Sequence, residues 1–161
     1  MNSVGMHRIT LVGFPVELFL EARRHNEALL REFTFICATE SEGAEVPSRL
    51  LNLGRQLRDR FYGLNDTLED QVAAAAARGD VAIDLGVQMV VSTGRQAAIT
   101  LGELFDEADA YCRSGDLLTL AESSEMHDFR TWYIEECVRQ LDGAEPVSWP
   151  EWNASRVTTR P

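Results

Sequence analysis

The most chemically demanding residue in this sequence is an arginine inside an apolar arc. On a helical wheel drawn through "SEMHDFRTWYIEECVRQL", Arg130 falls between Met126, Phe129, Tyr133 and Leu141. A guanidinium keeps its proton in a protein, so a buried one needs carboxylates or several carbonyls around it. The acidic helix ahead of it, or Asp116, is the expected source. Two readings stay open: a structural ion pair, or a receptor for an anionic ligand. Asn26 sits in the middle of an earlier apolar stripe. It either fixes helix register or joins Arg130 as the second polar group of an inter-helix pocket.

Other reactive side chains form weaker patterns. Glu21 and His25 are four apart on one helix, a spacing two metal ligands can share, but helical metal bundles need several carboxylates and a Glu-x-x-His pair. No metal site is therefore expected. Glu103, Asp106, Glu107 and Asp109 crowd two turns of "GELFDEADAY" and read as a solvated face unless one of them is desolvated. The chain has no lysine, which removes Schiff-base chemistry and lysine-based phosphate loops. No nucleophile elbow, HExxH, glycine-rich phosphate loop or EF-hand is present. Cys37, Cys112 and Cys137 are widely spaced, form no CxxC pair and fall on apolar faces, so they read as free buried thiols. Cys112 and Cys137 are placed too far apart to bond. No catalytic residue and no cofactor is assigned.

Trp132 lies outside the inner face of its helix, near Asp128 and Glu135. Trp149 and Trp152 in "VSWPEWNASR" either fold back over it or stand with it as an interface, where tryptophan is enriched. A homodimer through Trp132 is compatible with either.

These residues need a frame to hold them. "HRITLVGF" reads as a short strand near 7–13, and Pro15 suits the first turn of a helix. From Val16 to Cys37, the residues Phe19, Ala22, Leu29, Leu30, Phe33 and Ile36 gather on one helical face. "ATESEGAEVP" reads as a loop. Leu50, Leu53, Leu57, Phe61 and Leu64 mark a second helix, and Asp66 with Glu69 resembles a capping box opening a third that stops at Gly79. "VAIDLGVQMVVS" alternates cleanly and gives the strongest strand signal, near 81–91, which is expected to pair with the strand near Ile9. Thr93 is expected to cap a fourth helix and Gly115 to end it. Ser123 or Ser124 caps a fifth, running to about Leu141. Between these two, Leu117, Leu118 and Leu120 are expected to plug the end of the core. The result is a mainly α, five-helix, bundle-like domain over 1–143 with a minor two-stranded β pairing, α+β being the alternative description. An extended tail follows over 144–161.

The composition narrows the function classes. At 161 residues the chain fits one domain, and 45% hydrophobic content suits a globular protein. The opening residues lack a signal-peptide pattern and no apolar run approaches a bilayer span, so a cytoplasmic protein without membrane contact is expected. A net charge of -11 opposes nucleic-acid binding. Arg49, Arg55, Arg58 and Arg60 form a local basic run that reads as a solvated face.

The segments "GFPVELFLEARRHNEALLREFTFI" and "EADAYCRSGDLLTLAESSEMHDFRTWYIEECVRQLDG", with "SWP" near the end, resemble actinobacterial proteins of undefined activity. Such proteins occur beside, or fused to, histidine-kinase-like ATP-binding and anti-sigma regulatory domains. The resemblance implies a regulatory role with an ATP-binding or sigma-factor regulator as partner. It supplies no catalytic residues. The functional expectation is a non-enzymatic interaction module in bacterial signalling or transcriptional regulation. The alternative is a small-molecule sensor or enzyme binding an anionic ligand around Arg130 and Asn26.

Overall fold

A computed structural model describes residues 5–40, 48–61 and 66–159. The elements run β1 (Met6–Pro15), α1 (Val16–Glu40), α2 (Ser48–Phe61), α3 (Asp66–Arg78), β2 (Ala82–Val90), α4 (Val91–Ser114), α5 (Ser124–Leu141) and α6 (Trp149–Thr159). The fold is mainly α, with one two-stranded antiparallel sheet.

The alternation read in the sequence sets the sheet register. Ile9 pairs with Val87 and Leu11 with Leu85, and the ladder slips between Leu11 and Phe14 so that Phe14 meets Ile83. Ile9, Leu11, Phe14 and Leu85 face the core and are almost completely buried. At the slip, Gly13 adopts φ 65°, and its N–H donates to Asp84 Oδ1 at 2.9 Å. A Cβ there would also lie 2.9 Å from Pro150 Cδ, so glycine is needed both for backbone conformation and for the approach of α6.

Apolar residues form two cores. One joins the sheet to the first half of α1, to α3, α5 and α6; the other joins the second half of α1 to α2, the later part of α4 and Leu117. Helices α1 and α4, each about 36 Å long at 1.5 Å per residue, span both. Cys137 lies in the first core and Cys112 in the second, and both are free thiols. Burial pushes Cys112 up to about 11 and Cys137 up to about 12. Cys37 departs from expectation in being only half-buried.

Helix ends follow local chemistry where a cap was legible. Ser123 Oγ accepts from Met126 N at 3.1 Å, and Gly115 closes α4 at φ 80°. Thr93 does not start α4. The helix begins directly at Val91, with no side-chain cap, because Val91 N donates to Gly5 O across the chain. The "GLND" turn and most of "ATESEGAEVP" lie outside the described residues, as does the Asp66 side chain of the proposed capping box.

The tail is not extended. Residues Trp149–Thr159 form a sixth helix that packs on β1 and α5. The signal for it is Ser148 with Glu151 three residues on. Ser148 Oγ and N both reach Glu151 Oε2, at 3.0 and 3.3 Å, and Glu151 N returns to Ser148 Oγ at 3.4 Å, while Pro150 occupies the first turn.

Candidate functional site

Helix α5 is buried on two sides, and this accounts for most of the residues singled out above. Its wheel face with Phe129, Tyr133 and Ile134 meets α1 and α4, as the apolar pattern requires. Its other side carries Trp132, Glu136 and Gln140, all buried. That second side looks polar in sequence and is covered by β1 and α6.

Trp132 is 0% exposed. Its Nε1 donates to Val147 O at 2.9 Å, and Trp149 packs on it edge-on at 5.7 Å. Trp152 stacks on Trp149 at 5.7 Å and donates to Glu135 Oε2, while Arg156 lies 4.7 Å over its ring. The three tryptophans thus form an internal ladder. The interface reading fails for Trp132, Trp149 and Trp152 because their surface is used within the chain. A homodimer through Trp132 fails for the same reason.

Below the ladder, Glu136 is 0% exposed. Its Oε2 accepts from Val147 N at 3.0 Å and Gln140 Nε2 at 2.9 Å, and Arg139 contacts Oε1. The Gln140 amide brackets Thr10 of β1, accepting from its N–H and donating to its carbonyl, both at 2.8 Å. Neither residue stood out in sequence. A Glu and a Gln four apart on one helix are ordinary surface residues until α6 covers them.

Arg130 finds its partners on α4 and on the connecting loop. Nη2 donates to Asp106 Oδ1 at 2.8 Å and contacts Glu122 Oε1; Nη1 donates to Gly102 O at 3.1 Å. The fourth helix was the expected source, but Asp116 is not involved; it accepts instead from Ser114 Oγ. Glu122, nearly buried, is the partner that spacing alone did not reveal. The two helices pass closely at this point: a Cβ on Gly102 would lie 2.7 Å from Ile134 Cδ1. Burial opposes the guanidinium charge, yet Glu122 and Asp106 outweigh it and hold Arg130 above the ordinary arginine range.

Asp106, Glu122 and His127 bring three potential metal-ligating atoms within 4.8 Å of one another. Arg130 Nη2 occupies the middle of that group, 2.8 Å from Asp106 and 3.2 Å from His127 Nδ1. The guanidinium is the cation of this cluster. His127 Nδ1 lies 2.9 Å from Glu122 Oε1, so Nδ1–H donates there while the two Nη2 protons serve the carboxylates. With two carboxylates on one arginine, the cluster does not attract a further anion. This geometry weighs against an anionic ligand at Arg130.

The rest of the acidic helix is dispersed in the same way. Glu107 pairs with Arg49 at 2.6 Å; Asp109 is buried, pairs with Arg113 at 2.8 Å and accepts from Glu122 N at 2.8 Å. Asp106, Glu107 and Asp109 each face a different arginine and do not converge as an acid/base dyad. Of the basic run, Arg49 is pinned by Glu107, and the side chains of Arg58 and Arg60 lie outside the described residues.

A cavity of about 110 Å³ lies beside the cluster, and it brings Arg130 and Asn26 together. Asn26 comes from α1, Leu101 and Phe105 from α4, and Met126, Phe129, Arg130 and Tyr133 from α5. His25 also lines it.

The loop between α4 and α5 differs most from expectation. Leu117 is 3% exposed and joins the second core, but Leu118 and Leu120 are 92% and 83% exposed. Glu32 of α1 accounts for the difference. Its carboxylate accepts from the backbone N–H of Leu118 and, at 2.7 Å, from that of Thr119; the Thr119 hydroxyl donates to it at 2.5 Å. The clamp turns the two leucines outward.

Comparison with known families, curated proteins and solved structures returns no match for this chain.

Proposed function

We propose that the chain is a non-enzymatic protein-interaction module of bacterial signalling or transcriptional regulation, and that the α4–α5 connection is its docking element. The exposure of Leu118 and Leu120 on a clamped loop carries this reading. Apolar side chains on a loose loop collapse onto nearby surface. These are held away from it, between Leu117 in the core and Glu122 on Arg130. Presenting apolar groups on a fixed backbone lowers the ordering cost of binding. Phe35, one turn beyond Glu32 on α1, is also exposed.

The partner that fits is a protein with an apolar groove rimmed by basic side chains. Glu32 and Asp116 border the leucines, and the whole chain carries -11. An ATP-binding or sigma-factor regulator is the partner class that the sequence resemblance favours.

The test is parallel affinity capture from the native cell with the wild-type chain and with Leu118→Asp/Leu120→Asp. Both positions are solvent-exposed, so the variant should keep the wild-type circular dichroism spectrum and melting temperature. A specific protein held by the wild type and lost from the variant supports the reading. A partner retained by the folded variant, or no protein distinguishing the two, overturns it. Concentration-dependent sedimentation abolished by the same substitutions would instead assign the leucines to a second copy of the chain.

A further inference from the structure

We infer that the cavity between α1, α4 and α5 is a binding site for a small uncharged molecule with a single-ring or similarly compact apolar body and one hydrogen-bonding group. Size, wall chemistry, charge and unpartnered polar groups support this together. The cavity measures about 110 Å³, near the scale of dry cavities that accept benzene. Its walls include Phe19, Leu101, Phe105, Met126 and Phe129.

Both arginines at its margin are already neutralised. Arg130 faces Asp106 and Glu122, and Arg23 faces Glu27 at 3.0 Å and Glu69 at 3.8 Å. Each cluster holds one more carboxylate than guanidinium, so an anion meets net repulsion. That surplus draws a cation to the rim. Asp106, Glu122 and Glu27 already accept from the guanidinium groups, however, and Glu69 lies 3.8 Å from Arg23. A cation moved inside therefore gives up its hydration for acceptors that are already shared.

Beside the ion-paired groups, three polar side chains remain for a ligand, the first being the His25 imidazole, which lines the cavity without a hydrogen-bond partner among the described residues. Among the described residues, neither the Asn26 amide nor the Tyr133 hydroxyl has a hydrogen-bond partner, and both residues line the cavity. Among the described residues no buried side-chain polar atom is left unsatisfied, so these two reach accessible space. Burial drives the Tyr133 phenol well above its ordinary range, keeping it a neutral donor and acceptor. A phenol and an amide at the edge of an aromatic-lined space suit a hydroxyl or carbonyl on an apolar ring.

The test titrates the full chain with benzyl alcohol, toluene, benzoate and benzylammonium, following backbone amide chemical shifts. Saturable shifts confined to α1, α4 and α5 around the cavity are expected with benzyl alcohol. Benzoate and benzylammonium should bind at least tenfold more weakly. Tyr133→Phe should weaken benzyl alcohol about five- to tenfold while leaving toluene unchanged, since only the hydrogen bond is lost. Ala22→Leu, which fills the cavity from α1, should abolish both; if that variant fails to fold, Leu101→Phe serves instead. Benzoate binding as tightly as benzyl alcohol overturns the inference. So does the absence of saturable binding by all four probes, or binding that survives in a folded cavity-filled variant.

Discussion

Glu32→Ala tests the clamp on which the docking loop depends. Among the described residues, the wild-type carboxylate is the one acceptor found for the backbone amides of Leu118 and Thr119. A hydrogen bond to a charged group contributes about 1.5–3 kcal/mol, and the half-buried setting argues for the lower figure. Two such bonds make local opening of the loop cost about 3 kcal/mol, which slows exchange of those amides about a hundredfold. Glu32→Ala should bring both to nearly unprotected rates. Glu32→Gln keeps one acceptor oxygen but sets an NH₂ against the other N–H, so one amide should lose about tenfold and the other little. Amide hydrogen exchange by NMR reads this directly, with the Ile9 and Leu85 amides of the sheet as an unchanged internal reference. The reasoning is refuted if Leu118 and Thr119 exchange freely in the wild type, or remain protected in Glu32→Ala.

Two further outcomes follow from the buried polar and thiol groups. Glu136→Leu removes the acceptor for Val147 N and one for Gln140, and should cost about 2–4 kcal/mol in urea unfolding, with Glu136→Gln costing roughly half that; equal midpoints for all three proteins would show that the network contributes nothing. Cys112, Cys137 and Tyr133 all favour their neutral forms when folded, so the folded state binds more protons than the unfolded one above about pH 9. Stability is therefore full below that pH and falls as pH rises towards 11–12; a urea midpoint unchanged between pH 8 and 10.5 contradicts this.

Much of the frame is legible in the sequence because it rests on short-range physics. The alternation around Ile83 and Leu85, the cap at Ser123 and the left-handed turn at Gly115 each depend on neighbours a few residues away. Arg130 also announced itself, since a guanidinium in an apolar arc requires carboxylates wherever they come from. The tail reads as extended in sequence for a local reason: Pro150 outweighs the Ser148–Glu151 box, although that box is present.

Tertiary structure decided the rest. Which carboxylate meets Arg130 depends on how the loop folds back, and Glu122 is set there by Asp109 accepting its N–H. Whether Trp132 faces water depends on where α6 lands, and that landing turns Glu136 and Gln140 from surface residues into a buried network. Leucines alone favour burial, so the sequence implied a plug. A glutamate 86 positions earlier in the chain captures the Leu118 backbone and reverses that outcome. Apolar periodicity specifies which face of a helix is buried first. A second buried face, or an exposed leucine, arises from polar contacts between distant segments, whose pairing no local pattern encodes.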